Sequence, residues 1–155
     1  MDYEIGKRND LIGIIKLYSE NKFNFEYSDE YAMRLQNIWD DIEKNNIKYF
    51  IAKDNKKIIG SCFICIIPNL THNGEYIGFI ENVIVDENYR KKGIGKKLIE
   101  MAIEYAKESN CYKVTLQSGI TRKNAHKFYE KIGFNGEGKK AYELRFPKKI
   151  EPILD

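Results

Sequence analysis

The chain has 155 residues, 43% of them hydrophobic and 32% charged, with a net charge of +3. That length suits one domain around one core, so a single domain over residues 1–155 is expected. No apolar run nears the ~20 residues of a membrane span, and the opening MDYEIGKRND lacks an apolar signal core. A cytoplasmic location without a membrane partner is therefore expected, and 26 basic against 23 acidic residues give little reason to expect a nucleic-acid partner.

Tyr3–Ile5 suits a short first strand. Asn9 or Asp10 can cap a helix through Tyr18, with Leu11, Ile14, Ile15 and Tyr18 on one face. Ser19–Tyr27 is polar and aromatic, as in a loop. Ser28 can cap a second helix, whose Leu35, Ile38, Trp39 and Ile42 keep helical spacing. Ile47–Lys53 and Ile58–Ile67 form a predicted hairpin around Asp54-Asn55-Lys56. Pro68-Asn69 ends the second of these strands and Asn73-Gly74 marks a turn. Tyr76–Val85 is the next predicted strand.

The run Ile94–Ala106 is amphipathic, with Ile94, Leu98, Met101, Ala102 and Tyr105 as its stripe. Tyr112, Val114 and Leu116 alternate with polar residues, as in a strand. Thr121–Ile132 is a predicted helix with Ala125, Phe128 and Ile132 inward. Gly133 stands at the left-handed C-cap position, with Phe134 closing over it. Ala141–Phe146 is a predicted final strand, and the tail from Pro147 is expected to be loosely held. Hairpins imply antiparallel pairing and strand–helix–strand units imply parallel pairing. The expected fold is α/β (α+β): a mixed, mostly antiparallel sheet with helices on both faces.

Cys62 and Cys65 form a CxxC without the second pair, or the histidines, that a zinc site needs. They lie in a β-like run, where residues three apart point to opposite faces. They are expected to be buried structural thiols, and no metal is expected.

Arg90-Lys91-Lys92-Gly93-Ile94-Gly95 joins a predicted strand to a predicted helix. Five of the eight residues from Arg90 to Lys97 are basic. Cations at a helix N-terminus oppose the macrodipole, a cost that a bound anion would remove. Glycines at 93 and 95 let backbone approach a ligand closely. Leu98 stands where a dinucleotide fingerprint needs its third glycine. A P-loop is excluded because Lys97 follows Gly95-Lys96 and Arg90 stands where its first glycine belongs. The loop is therefore expected to hold a pyrophosphate.

The stretch Val85-Asp86-Glu87-Asn88-Tyr89-Arg90-Lys91-Lys92-Gly93-Ile94-Gly95 resembles the acetyl-CoA signature of the GNAT superfamily of N-acetyltransferases. Asn124-Ala125-His126-Lys127-Phe128-Tyr129-Glu130-Lys131-Ile132-Gly133-Phe134 resembles that superfamily's second helical motif. The resemblance implies the acyl-CoA N-acyltransferase fold and acetyl-CoA as co-substrate. It implies direct transfer in a ternary complex to a primary amine, with a small-molecule acceptor, and a homodimer as the common assembly. Aminoalkylphosphonate acetyltransferases are among the small-molecule members that Ser118–Tyr129 resembles. Backbone groups of Val83, Ile84 and Val85 would pair with the pantetheine arm. The N–H groups from Lys91 to Lys96, through Lys92, Gly93, Ile94 and Gly95, would hold the diphosphate, with charge from Arg90 and Lys92. Asn124 would touch the cofactor or cap its helix.

The chemistry sets further demands. An amine of pKa ~10.4 is almost wholly protonated at neutral pH, and a three-unit correction costs roughly 4 kcal/mol. Glu81, a carboxylate within the apolar run Ile77–Val85, is the expected proton acceptor. Strand alternation would put it on the face of Val83 and Val85. Its alternative role is a strand carboxylate paired with a lysine, and Glu75 is the fallback base. Tyr129 matches the superfamily's donor to the leaving thiolate. A backbone N–H near Val83 would polarise the carbonyl. His126 is expected at the surface or behind the site, and the role of His72 stays open.

The resemblance also assigns the acceptor pocket to Lys22–Tyr27 and Pro68–Tyr76, with Glu26, Asp29 and Glu30 supplying charge or merely solvation. Rival expectations are a non-catalytic acyl-CoA-binding regulatory module, a transferase for protein or peptide amines, and a nucleic-acid-binding domain using the basic loop.

Overall fold

The central hairpin pairs Ile47–Asp54 (β2) with Lys57–Ile67 (β3). Its turn is Asn55-Lys56, both with positive φ (47° and 70°), the hand that matches the twist of the flanking strands. The structure, a computed structural model, describes residues 1–21 and 28–147. Asp2–Ile5 (β1) pairs antiparallel with β2, and Tyr76–Val85 (β4) antiparallel with β3. Cys111–Leu116 (β5) runs parallel to β4. The sheet order is β1-β2-β3-β4-β5, mixed and mostly antiparallel as expected.

The helices are Leu11–Asn21 (α1), Asp29–Arg34 (α2), Gln36–Lys44 (α3), Ile94–Glu108 (α4) and Lys123–Ile132 (α5). The elements form two compact units, Met1–Gln117 and Ser118–Asp155. In the first unit, adjacent residues of β2 show that helices cover both faces. The Tyr49 ring lies 5.6 Å from Trp39 of α3, while the Phe50 ring lies 6.0 Å from Tyr105 of α4. One face buries Leu11, Ile14, Ile15 and Leu17 of α1 against Ile51, Ile58 and Ile84. The other buries Ile94, Leu98, Ile99, Ala102 and Ala106 of α4. Ile99 and Ala106 join the predicted stripe, whereas Met101 and Tyr105 stay half-buried.

Gly60 on β3 marks where the start of α4 crosses the sheet. A Cβ there would meet Ile94 Cγ2 at 3.0 Å and Leu98 Cδ1 at 3.1 Å. Cys62, on the same face, is fully buried, with Sγ 3.6 Å from the Leu98 carbonyl. Burial pushes its thiol up to about 12, so it stays protonated. Cys65 is half-buried and both thiols are free, in keeping with a structural role.

Several expectations change. Asp10 does not cap α1. Its Oδ2 accepts from the Lys7 N–H at 2.9 Å and its Oδ1 meets Lys53 Nζ at 2.7 Å, so Arg8–Asp10 forms a short 3₁₀ turn instead. Ser28 caps as expected, its Oγ accepting from the Tyr31 N–H at 3.0 Å. The second predicted helix divides at Leu35, where the N–H is shared between the Tyr31 and Ala32 carbonyls at 3.3 and 3.2 Å. That sharing tightens the turn and offsets α3 from α2. The helix predicted from Thr121 begins at Lys123. Residues 141–146 form no strand, and Tyr142, Leu144 and Phe146 remain exposed. Alternation alone does not make a strand, because ladder hydrogen bonds need a partner. Lys22–Tyr27 and the tail beyond Pro147 lie outside the described residues.

Candidate active site

The site begins with an irregularity in β4. Glu81 lies opposite Phe63 and Ile84 opposite Ser61, so Asn82 and Val83 together face Cys62. Such a two-against-one arrangement is a β-bulge. Asn82 takes φ 51°, a left-handed conformation that asparagine tolerates better than most residues. The extra residue breaks the alternation. Glu81 shares its face with Ile84, beside α1, and Val85 lies opposite Gly60 on the α4 face. The expectation that Glu81, Val83 and Val85 share one face is therefore corrected. Glu81 is half-buried, and its Oε2 accepts from the Asn82 N–H at 3.3 Å.

The same strand opens on its other edge. Pairing with β5 runs from Tyr76 to Ile80 and ends at Leu116. From Glu81 to Val85, the edge of β4 has no ladder partner on that side among the described residues. Val83, Ile84 and Val85 thus present backbone groups of the kind an added strand would pair with.

The opened edge leads into the basic loop. Glu87–Tyr89 makes one 3₁₀ turn, Lys91 takes φ 62° and Gly93 takes φ 79° as the N-cap of α4. Space around Gly93 is open, so glycine serves the backbone conformation there rather than packing. The first intrahelical bond runs from the Lys97 N–H to the Gly93 carbonyl at 3.0 Å. The N–H groups of Ile94, Gly95 and Lys96 therefore point ahead of the helix. Left-handed residues at Lys91 and at Gly93, the latter directly before the right-handed Ile94, are the kind of turn that aims successive N–H groups into one concavity, the anion-binding nest. Lys91, Lys92 and Lys96 are exposed around it. Lys92 Nζ sits 4.9 Å from the Tyr89 ring centre, and Lys96 meets Glu100 at 3.6 Å. Arg90 turns back, its Nε donating to the Val85 carbonyl at 3.2 Å, and so fastens the loop to the end of β4.

A staple not foreseen in the sequence holds the loop to the central hairpin. Asp86 is buried, with Oδ2 2.8 Å from Lys57 Nζ. Its Oδ1 accepts from the Asn88 N–H at 3.0 Å and from the Asn88 side-chain amide at 3.2 Å. The Lys57 hydrogen bond holds the Asp86 carboxyl below its ordinary range, helped by the Asn88 N–H. Tyr89 donates to Asp54 Oδ2 at 2.9 Å, and the Glu87 N–H donates to Asn21 Oδ1 at 2.9 Å. Asp54 and Lys57, at the two ends of the hairpin turn, thus grip both ends of the 3₁₀ turn. The one available signal was an acidic pair, Asp86-Glu87, directly after an apolar strand.

On the sheet face of Glu81, a cleft of about 290 Å³ opens among α1, α2, α3 and β2, with Asn82 in its lining. The rings of Phe63, Tyr49 and Trp39 form a row, with centres 5.1 and 5.6 Å apart. Burial pushes the Tyr49 phenol up to about 12 and Tyr18 well above its usual range, so both walls stay neutral. None of the lining comes from Pro68–Tyr76, Asp29 or Glu30. Asp29 and Glu30 occupy the exposed first turn of α2, where acidic residues complement the helix dipole. His72 instead stacks on Tyr112 of β5, with ring centres 3.9 Å apart. Glu75 stands just before β4, where its N–H donates to the His72 carbonyl at 3.1 Å.

Asn124 and Tyr129 stand on α5 in the second unit. Arg122 is the N-cap, so Asn124 does not cap this helix. Tyr129 is half-buried, its ring edge-on to Phe134 at 6.1 Å. The helix ends as expected: Gly133 takes φ 113°, and the Phe134 N–H donates to the Tyr129 carbonyl at 3.1 Å. His126 Nε2 lies 2.9 Å from the Gly119 carbonyl, a contact that ties down the preceding loop.

A family model described as the acetyltransferase (GNAT) family matches residues 11–134. The chain belongs to that family. Members of that family use acetyl-CoA as donor, and in this chain the nest and the opened strand edge offer donors of the kind a diphosphate needs and a ladder of the kind an amide-bearing arm needs. The chain is 40% identical over 87 residues to the glucosamine 6-phosphate N-acetyltransferase of Trypanosoma brucei brucei, a match over 56% of this chain and 57% of that protein. It is 32% identical over 108 residues to an uncharacterised N-acetyltransferase of Bacillus subtilis, over 68% and 72% of the two chains. This GNAT chain thus spans little more than half the length of the trypanosome relative. Among solved structures, a protein assigned as an acetyltransferase from Agrobacterium tumefaciens superposes with a TM-score of 0.84 at 30% identity, covering 94% of this chain and 100% of that one. An aminoglycoside acetyltransferase from an uncultured soil metagenomic sample gives 0.78 at 26% identity, over 95% and 96%.

Proposed function

We propose that this GNAT protein transfers the acetyl group of acetyl-CoA directly to a primary amine of a small molecule. The observation that carries the reading is the continuous path from the unpaired edge of β4 into the N–H nest of the loop. Relatives that act on glucosamine 6-phosphate and on aminoglycosides support a small-molecule acceptor. The family match crosses the boundary between the two units, which supports their acting as one catalytic domain.

In this reading, Val83, Ile84 and Val85 pair with the pantetheine arm. The N–H groups from Lys91 to Lys96 and the lysine side chains hold the diphosphate, while Arg90 adds charge and braces Val85. Asn124, no longer needed as a cap, contacts the cofactor. Acetyl-CoA supplies the activated carbonyl. Glu81 takes a proton from the ammonium, directly or through water, and the neutral nitrogen forms the new N–C bond. A backbone N–H near Val83 steadies the oxyanion. The C–S bond then breaks, Tyr129 gives its proton to the departing thiolate, and the phenolate so formed takes the second proton from the nitrogen as the amide forms. No thiol of the protein takes part, in keeping with the buried, protonated Cys62.

The test is thiol release from acetyl-CoA across a panel of polyamines, amino sugars, aminophosphonates, amino acids and peptides. Release that depends on one class of amine is expected. Tight acetyl-CoA binding without release on any amine would favour a regulatory binding module.

A further inference from the structure

The chemistry of the cleft bears on the acceptor that the proposed transfer would use. Among the described residues, its walls carry no lysine, arginine, histidine or carboxylate. They are ring faces and branched aliphatic side chains, with Trp39 and Tyr49 deep and Ile38 half-exposed toward solvent. A phosphorylated sugar placed there would find no cation for its phosphate, and a polyhydroxylated amine would have more hydroxyls to desolvate than these walls can pair. The polar groups of the lining are neutral, the phenols of Tyr18, Tyr31 and Tyr49, the Trp39 indole and the Asn82 amide. Asn82 is part of the lining, and its neighbour Glu81 lies directly opposite Phe63 in the ladder, which in turn lies opposite Tyr49. Phe63, Tyr49 and Trp39 then continue the aromatic row away from the carboxylate. A cation is attracted to both a carboxylate and ring faces, and an apolar body to the rest. With each water occupying about 30 Å³ of liquid, a cleft of about 290 Å³ suits roughly ten heavy atoms.

We infer that the acceptor is a primary amine carrying one aromatic or branched aliphatic group on a short linker, with its ammonium at Glu81 and its apolar group between Trp39, Tyr49 and Ile38. The inference rests on the acetyl-transfer reading for its chemistry, but the recognition can be read separately. Trp39 is the sole tryptophan of the chain, so its emission reports what enters the cleft without any turnover.

Phenethylamine and isoamylamine are titrated against the full chain in the presence of CoA, with glucosamine 6-phosphate and kanamycin as comparisons. Thiol release from acetyl-CoA is measured on the same four amines and on a peptide with an apolar N-terminal residue. A saturable change in Trp39 emission with the two apolar amines, and a kcat/KM at least tenfold above that for the sugars, is expected. Release with a sugar or only with the peptide, without a Trp39 response to phenethylamine, overturns the inference while leaving acetyl transfer standing. A saturable Trp39 response with no thiol release from any amine supports the ligand class while removing the acetyl-transfer reading. Silence in both measurements overturns the inference. Ile38→Lys, at a half-exposed position that tolerates charge, should raise the KM for phenethylamine at least tenfold and leave the KM for acetyl-CoA within twofold. An unchanged amine KM in that variant also overturns the inference.

Discussion

Glu81 makes its case through its surroundings. A carboxylate half-buried beside an aromatic row, in a strand that is otherwise apolar, is costly unless it has work to do. As the proton acceptor, it matters most where the amine is protonated. Glu81→Gln should lower kcat about 10²-fold or more at neutral pH, and the deficit should shrink as pH rises toward the amine's own pKa near ~10.4. A pH–rate profile in which the deficit stays constant would count against the role. Tyr129→Phe should lower kcat and leave the KM for acetyl-CoA nearly unchanged. Equal turnover in the two proteins on a verified acceptor would remove the donor role. The identity of Glu81 was visible in the sequence because it interrupts an apolar run. Its face was not, because period-two alternation assumes an unbroken strand and the bulge at Asn82 adds a residue. Asparagine at the break is a weak signal, since it is only one of the residues that accept positive φ.

At the level of elements, the loop depends on the hairpin beneath it. Asp86 links Lys57 to the Asn88 N–H, and Tyr89 reaches Asp54. These contacts fix the direction in which the nest faces. Asp86→Ala leaves Lys57 and the Asn88 N–H without their acceptor and should cost about 1–3 kcal/mol at neutral pH, measured as a lower Tm together with a higher KM for acetyl-CoA. The sign of the pH dependence follows from the depressed carboxyl. Its stabilising contribution is present above the ordinary carboxylate range near ~3.9 and fades as pH falls below that value through the folded-state pKa. The Tm gap between wild type and Asp86→Ala should therefore close in acid, and a gap unchanged down to pH ~3 would show that the ion pair is not what the substitution removes. Helix caps, the hairpin turn and the stripe of α4 were legible, because each is written in residues a few positions apart. The staple was not, since Lys57 and Asp86 come together only when β3 and β4 pair. The predicted final strand failed for the opposite reason. Tyr142, Leu144 and Phe146 carry the local pattern, but pattern without a ladder partner leaves them exposed.

For the whole molecule, the near balance of charge leaves the cations of the loop as a local feature rather than part of a basic face. The two units were also invisible in the sequence, where helix and strand signals continue across Gln117 without a Pro/Ser-rich linker. One catalytic domain requires that acetyl-CoA stabilise both units together. The residues assigned to it span the boundary, with Val83–Lys96 in the first unit and Asn124 and Tyr129 in the second. A ligand that binds only the folded state adds about 2.7 kcal/mol at one hundred times its Kd, which for a chain of this size raises Tm by about 5–10 °C. Calorimetry with saturating acetyl-CoA should show one transition moved upward by that amount. Inorganic phosphate, which can fill the nest but has no pantetheine arm to lie along β4, should move it far less. Two transitions, of which only one responds to acetyl-CoA, would mean that the cofactor is held by one unit alone and that Asn124 and Tyr129 take no part in binding it.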